Sequence, residues 1–106
     1  YIVNLTPEAT FQNVETKSPL FKEWKSLAET DSHAKAMTTK YQHRPAIELY
    51  DVKNDPYCMK NLAEDAKQAS TISRLDKELK RWMKDCGDEG QPTEMRAFEH
   101  MPGKRK

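Results

Sequence analysis

Three histidines and two cysteines are the residues of this chain best suited to bind a metal or attack a substrate, and their spacing fits neither task. His33, His43 and His100 form no His-Glu-x-x-His pattern, and Cys58 and Cys86 form no Cys-x-x-Cys pattern, so no metal site is expected. A Ser, Thr or Cys nucleophile needs a base to activate it and a turn to present it. The Gly-x-Ser-x-Gly elbow is absent, and three glycines cannot build a phosphate-cradling loop. Carboxylate pairs such as Asp88-Glu89 follow a helix end and read as solvated. Phe21, Trp24 and Tyr41 are of a type that stacks on sugar rings, but their helical spacing reads as packing against a sheet. No catalytic residue and no metal ligand is assigned.

The elements that would position such residues follow from periodicity. Tyr1 to Leu5 is β-branched and aromatic and reads as a strand, closed by Thr6-Pro7-Glu8. Residues 9–17 read as loop. Ser18-Pro19 is a helix start, because Ser caps well and Pro at the first helical position gives up only an N–H without a partner. Leu20, Phe21, Trp24, Leu27 and Ala28 then make one apolar stripe. A break near Thr30-Asp31-Ser32 leaves Asp31 or Ser32 to cap a second helix through Ala34, Met37 and Tyr41. That helix must stop by about His43, since the residue before Pro45 disfavours helix.

Ala46 to Val52 is the next strand, with Ile47, Leu49 and Tyr50 as bulk and Glu48 and Asp51 between them. Lys53-Asn54-Asp55-Pro56 is a turn by composition. Asp65, with Gln68 three residues on, is a capping box for the longest helix. Its apolar stripe is Ala69, Ile72, Leu75, Leu79, Trp82, Met83 and Cys86, and Gly87 closes it. Residues 88–106 read as an irregular tail. The order β, α, α, β, α gives an α+β fold, a small antiparallel sheet packed against the long C-terminal helix. Two short strands do not make an independently stable sheet, so further strands are expected from outside the segment.

Composition agrees. Apolar residues are 36% and charged residues 33% of 106, a polar balance for a domain that must bury a core. Net charge is +1 with the signs mixed in both halves, which argues against nucleic-acid or anionic-membrane binding. Only Lys104-Arg105-Lys106 is a one-sign run. No stretch approaches the roughly 18–20 apolar residues of a membrane span. The chain starts inside a strand without Met, so it reads as a piece of a longer protein, with any targeting segment upstream. A helix from Ala66 to Cys86 would span about 30 Å, and the eight residues from Cys58 to Ala66 reach about 27 Å with about 5.5 Å more for a bonded pair, so bridging needs a nearly straight segment running back along the helix. Two free thiols are therefore expected.

The stretch Arg44-Pro45-Ala46-Ile47-Glu48-Leu49-Tyr50-Asp51-Val52, then Asn54-Asp55-Pro56, then Asn61-Leu62-Ala63, resembles the C-terminal signature of the type I sulfatases, nearest the bacterial and N-sulfoglucosamine sulfohydrolase-like branch. Trp82 stands where that pattern has a Trp near the end of a long helix, and Tyr1-Ile2 and Pro19-Leu20-Phe21 to Trp24 resemble the segment before it. Cys58 and Ile47 depart from it, since acidic residues are common at both places. The resemblance implies the C-terminal subdomain of an alkaline-phosphatase-like sulfatase over residues 1–90, with 91–106 an irregular or disordered tail. It implies a parent that hydrolyses sulfate esters, such as those of sulfated sugars, with a formylglycine and a calcium ion. The formylglycine motif, Cys/Ser-x-Pro/Ala-x-Arg, is absent: Met59-Lys60 follow Cys58, and Gly87-Asp88 follow Cys86. The expected partner is the N-terminal catalytic domain of the same protein, and the family implies export. Tyr41-Gln42-His43-Arg44 is the candidate substrate-shaping loop, since His43 and Arg44 suit an anionic sugar. The competing reading is a free-standing α+β interaction module that uses the apolar stripe of the 19–30 helix.

Overall fold

Ser18 decides where the first helix of the computed structural model begins: its hydroxyl accepts from the Phe21 N–H at 3.2 Å, and Pro19 opens α1 (Pro19–Leu27). Asp31 does the same for α2 (Ser32–Gln42), accepting from the Ala34 N–H at 2.6 Å. α2 ends before Pro45, as its sequence requires. The structure describes residues 1–100; the basic run Lys104-Arg105-Lys106 lies outside them.

Two compact units are present, one of Thr6–Ala46 and one of Tyr1–Leu5 with Ile47–Lys106. The first is the α1–α2 helix pair with the segment leading into it, which contains a 3₁₀ turn at Glu15–Lys17. Its core is Phe21 and Ala34. The Phe21 ring lies 5.5 Å from that of Tyr41 and edge-on to Trp24 at 6.3 Å, while Phe11 meets Tyr41 edge-on at 5.9 Å. These rings pack against one another within this unit. The rest of the α1 stripe is open, with Leu20 74% exposed.

The second unit holds β1 (Ile2–Val3) antiparallel to β2 (Ile47–Glu48), with Ile2 opposite Glu48 and Val3 opposite Ile47. After β2 come a 3₁₀ turn at Ala66–Gln68, the long helix α3 (Ala69–Cys86), the short helix α4 (Gln91–Met95) and a 3₁₀ turn at Ala97–His100. The architecture is α+β, a two-stranded sheet with several helices.

Three expectations change. Both strands are shorter than their sequence runs, β2 because past Glu48 the main chain is bonded by Asn61 and Leu62 and the Asp51 side chain opens a turn. Asp65 caps the 3₁₀ turn, accepting from the Lys67 N–H at 2.9 Å, and Gln68 stands at the N-cap of α3 without a side-chain bond. Helical turns occupy part of the region read as irregular, at 91–95 and 97–100. Gly87 closes α3 in the left-handed region at φ 72°, as expected.

Candidate functional site

His43 ends α2 in extended backbone, its N–H donating to the Thr39 carbonyl at 2.8 Å. Its side chain lines an open cleft of about 430 Å³ between α1 and α2. Lys25, Glu29, Lys35, Thr39 and Gln42 line the same cleft. Lys25 spans it, its Nζ donating to Gln42 Oε1 at 2.9 Å. Thr38 forms the floor; it is buried, and its hydroxyl is satisfied by the Ala34 and Lys35 carbonyls. Arg44, the other residue of the sequence-based pair, is exposed and is not part of this lining. The two residues are thus adjacent in sequence but do not share the cleft. Lys25 and Lys35 were missed because they lie off the apolar stripes, whereas Gln42 and His43 both belong to the candidate loop 41–44. Only the packing of the two helices against each other brings their polar flanks together.

The signature stretch builds a different kind of place. Glu48 is 1% exposed, the one buried charged side chain among the described residues. Its carboxylate accepts from Asn4 Nδ2 at 2.9 Å and from the Tyr50 hydroxyl at 2.6 Å. Leu49 beside it is also buried, whereas Ile47 is 40% exposed, so the inward residue of the first pair is the polar one. A buried carboxylate persists only when hydrogen-bonded, and this one is. Asn4 and Tyr50 lie just past the two paired strands, and their bonds help hold the carboxylate in place.

Asp51 and Asp55 organise the turn that follows. Asp51 accepts from the Lys53 and Asn54 N–H groups and, at 2.7 Å, from Asn54 Nδ2. The Asn54 side chain, then its backbone N–H, holds the Asp51 carboxyl below its usual range. Asp55 accepts from the Met59 and Lys60 N–H groups, and the turn carries Cys58 at φ 52°, a conformation few side chains adopt. These bonds fold the turn. Among the described residues no group of three or more His, Cys, Asp and Glu could hold a metal ion. Neither calcium nor a formylglycine fits the residues present.

With that geometry in place, the comparisons are informative. Over 98 residues the chain is 32% identical to an ulvan-active sulfatase of Formosa agariphila. The match takes in 89% of this chain and 16% of the sulfatase, so the chain spans about one-sixth of its relative's length. The homology is weak and points to sulfatase-like proteins. No family model matches the chain, and no solved structure does. No helix among the described residues is long and apolar enough to cross a membrane.

Proposed function

We propose that these residues are the non-catalytic C-terminal part of a sulfatase, a sulfuric ester hydrolase acting on sulfated sugars or similar esters. The observation that carries the reading is the 32% identity to a sulfatase in a chain with no Cys/Ser-x-Pro/Ala-x-Arg motif. The formylglycine and calcium belong to the N-terminal catalytic domain, which is the partner of this segment and is exported with it. The segment's own work is structural. The loop at His43 and Arg44 borders the substrate, where a guanidinium and an imidazole suit a sulfated sugar. The partly exposed stripe of α3 supports this, since Trp82 is 59% exposed and an amphipathic helix of this length normally buries that face.

The isolated 106 residues, purified, are expected to give no turnover of an aryl sulfate. The reading frame upstream of Tyr1 is expected to encode the Cys/Ser-x-Pro/Ala-x-Arg motif. Turnover by the isolated segment would refute the non-catalytic role, and a start codon a few residues upstream would refute the sulfatase. The second outcome favours the interaction module, for which the open Leu20, Trp24 and Leu27 face of α1 is the supporting observation.

A further inference from the structure

We propose that the cleft between α1 and α2 binds an anionic sugar residue, with the Lys25 and Lys35 ammonium groups on its sulfate or carboxylate and the Glu29 carboxylate on its hydroxyls. The proposal rests on the sulfatase reading for the class of ligand, and adds to the His43 end of the cleft the charges that hold it.

Both flanks of the cleft come from helical spacing. Lys35, Thr39 and Gln42 recur every three or four residues along α2, so they share a face. Lys25 and Glu29 are likewise four apart, Glu29 lying just past the end of α1. Opposite charges at that spacing can pair on a helix. Here they do not: the Lys25 Nζ turns to Gln42 Oε1 at 2.9 Å instead. Among the described residues none of Lys25, Lys35 and Glu29 enters an ion pair. The cleft thus holds two ammonium groups and a carboxylate that do not neutralise one another.

Their chemistry selects the ligand. An ammonium carries three N–H donors, and Gln42 takes one from Lys25, so two remain. The same bond restricts a flexible side chain in advance, which lowers the ordering cost of binding. Sulfate and carboxylate oxygens accept such charge-assisted bonds. A carboxylate with no cation on it accepts from hydroxyls. A ligand that suits both carries an oxyanion and hydroxyls on one small frame, as an anionic sugar does. The floor makes no polar demand, since Ala28 offers a methyl and the buried Thr38 hydroxyl already donates to the Ala34 and Lys35 carbonyls. The volume of about 430 Å³ falls in the range of small-molecule sites, roughly 300–1,000 Å³. A nucleic acid fits poorly, because no Phe, Tyr or Trp lines the cleft for bases to stack on and Glu29 repels a run of phosphates.

Amide chemical shifts of the 106-residue chain test the site. A monosulfated glucose and glucuronic acid, titrated separately at low salt, should move the amides of Lys25, Glu29, Lys35, Thr39 and Gln42, and glucose should move none of them. The tighter of the two acids identifies the oxyanion. Lys25→Gln combined with Lys35→Gln should weaken that acid about tenfold or more, and added salt should weaken it in the wild type. Glu29→Gln should weaken the acid sugar and not inorganic sulfate. Equal shifts with glucose, inorganic sulfate as tight as either acid, or shifts that fall outside the cleft in the wild-type chain overturn the proposal, even if a variant fails to fold. Aryl-sulfate turnover by the longer polypeptide of the same reading frame is scored separately. Turnover without binding at the cleft removes this site alone, and binding at the cleft without turnover removes the sulfatase reading alone.

Discussion

Asn61 acts on β2 as a neighbouring strand would. Its amide meets the Ile47 carbonyl and the Leu49 N–H, and its Oδ1 also accepts from the Ala63 N–H at 3.0 Å. This gives a physical reason for Asn-Leu-Ala to follow Glu-Leu-Tyr-Asp after a turn. The asparagine and the Leu62 N–H together close a strand that has no second neighbour. Asn61→Ala removes three hydrogen bonds and leaves main-chain groups at the edge of the buried Leu49 unpaired. We predict a loss of about 1–3 kcal/mol, read as a lower urea midpoint with an unchanged slope. Glu48 belongs to the same scale. An alternation rule applied to the residues turns Ile47 inward and Glu48 outward, and the fold does the reverse, because Asn4 and Tyr50 supply the donors that a carboxylate needs when it leaves water.

Among the elements, α3 is tied to Tyr1, the residue before β1, by a polar contact whose strength depends on pH. Lys80 Nζ lies 2.6 Å from Asp76 Oδ2, and this contact first, then the Tyr1 hydroxyl, holds the Asp76 carboxyl below its ordinary value of 3.8. Burial first, and the neighbouring Asp76 second, push the Tyr1 hydroxyl up. A carboxyl depressed in the folded state stabilises it above the unfolded value, and that contribution is lost as the pH falls through the folded value. The stability gap between wild type and Asp76→Asn should therefore be constant near neutral pH. It should close as the pH drops below 3.8, as followed by urea midpoints across a pH series. A gap that persists unchanged in acid would assign the effect to shape instead of charge. The α3 partner Lys80 is exposed, so added salt should also narrow the gap.

At the scale of the molecule, the polar composition and the open apolar faces agree. Phe21, Ala34 and Leu49 are the buried apolar residues among those described, a small core for 106 residues. No crosslink compensates, since Cys58 and Cys86 form no disulfide. Titration of the unreduced protein in denaturant should count two thiols. Under native conditions Cys86, exposed at the end of α3, should react faster than the half-buried Cys58. A count of none would require the chain between them to run straight back along the helix.

The sequence by itself determined α1, α2 and the end of α3. Ser18, Asp31, Pro45 and Gly87 act on main-chain groups within a few residues, so their effect is local and legible. It also determined the likeness to sulfatases, because the turn and strand-closing residues of the signature work at short range. Tertiary structure alone decided three other matters. Glu48 is buried because its donors Asn4 and Tyr50 are brought together by strand pairing, 44 residues of chain separating it from Asn4. His43 joins Lys25 and Lys35 in one cleft while Arg44 does not, because the turn between α1 and α2 sets which polar flanks meet. The outer side of β2 is closed because a side chain 14 residues from Ile47 in sequence reaches its carbonyl. Each depends on hydrogen bonds between groups distant in the chain, which no local pattern encodes.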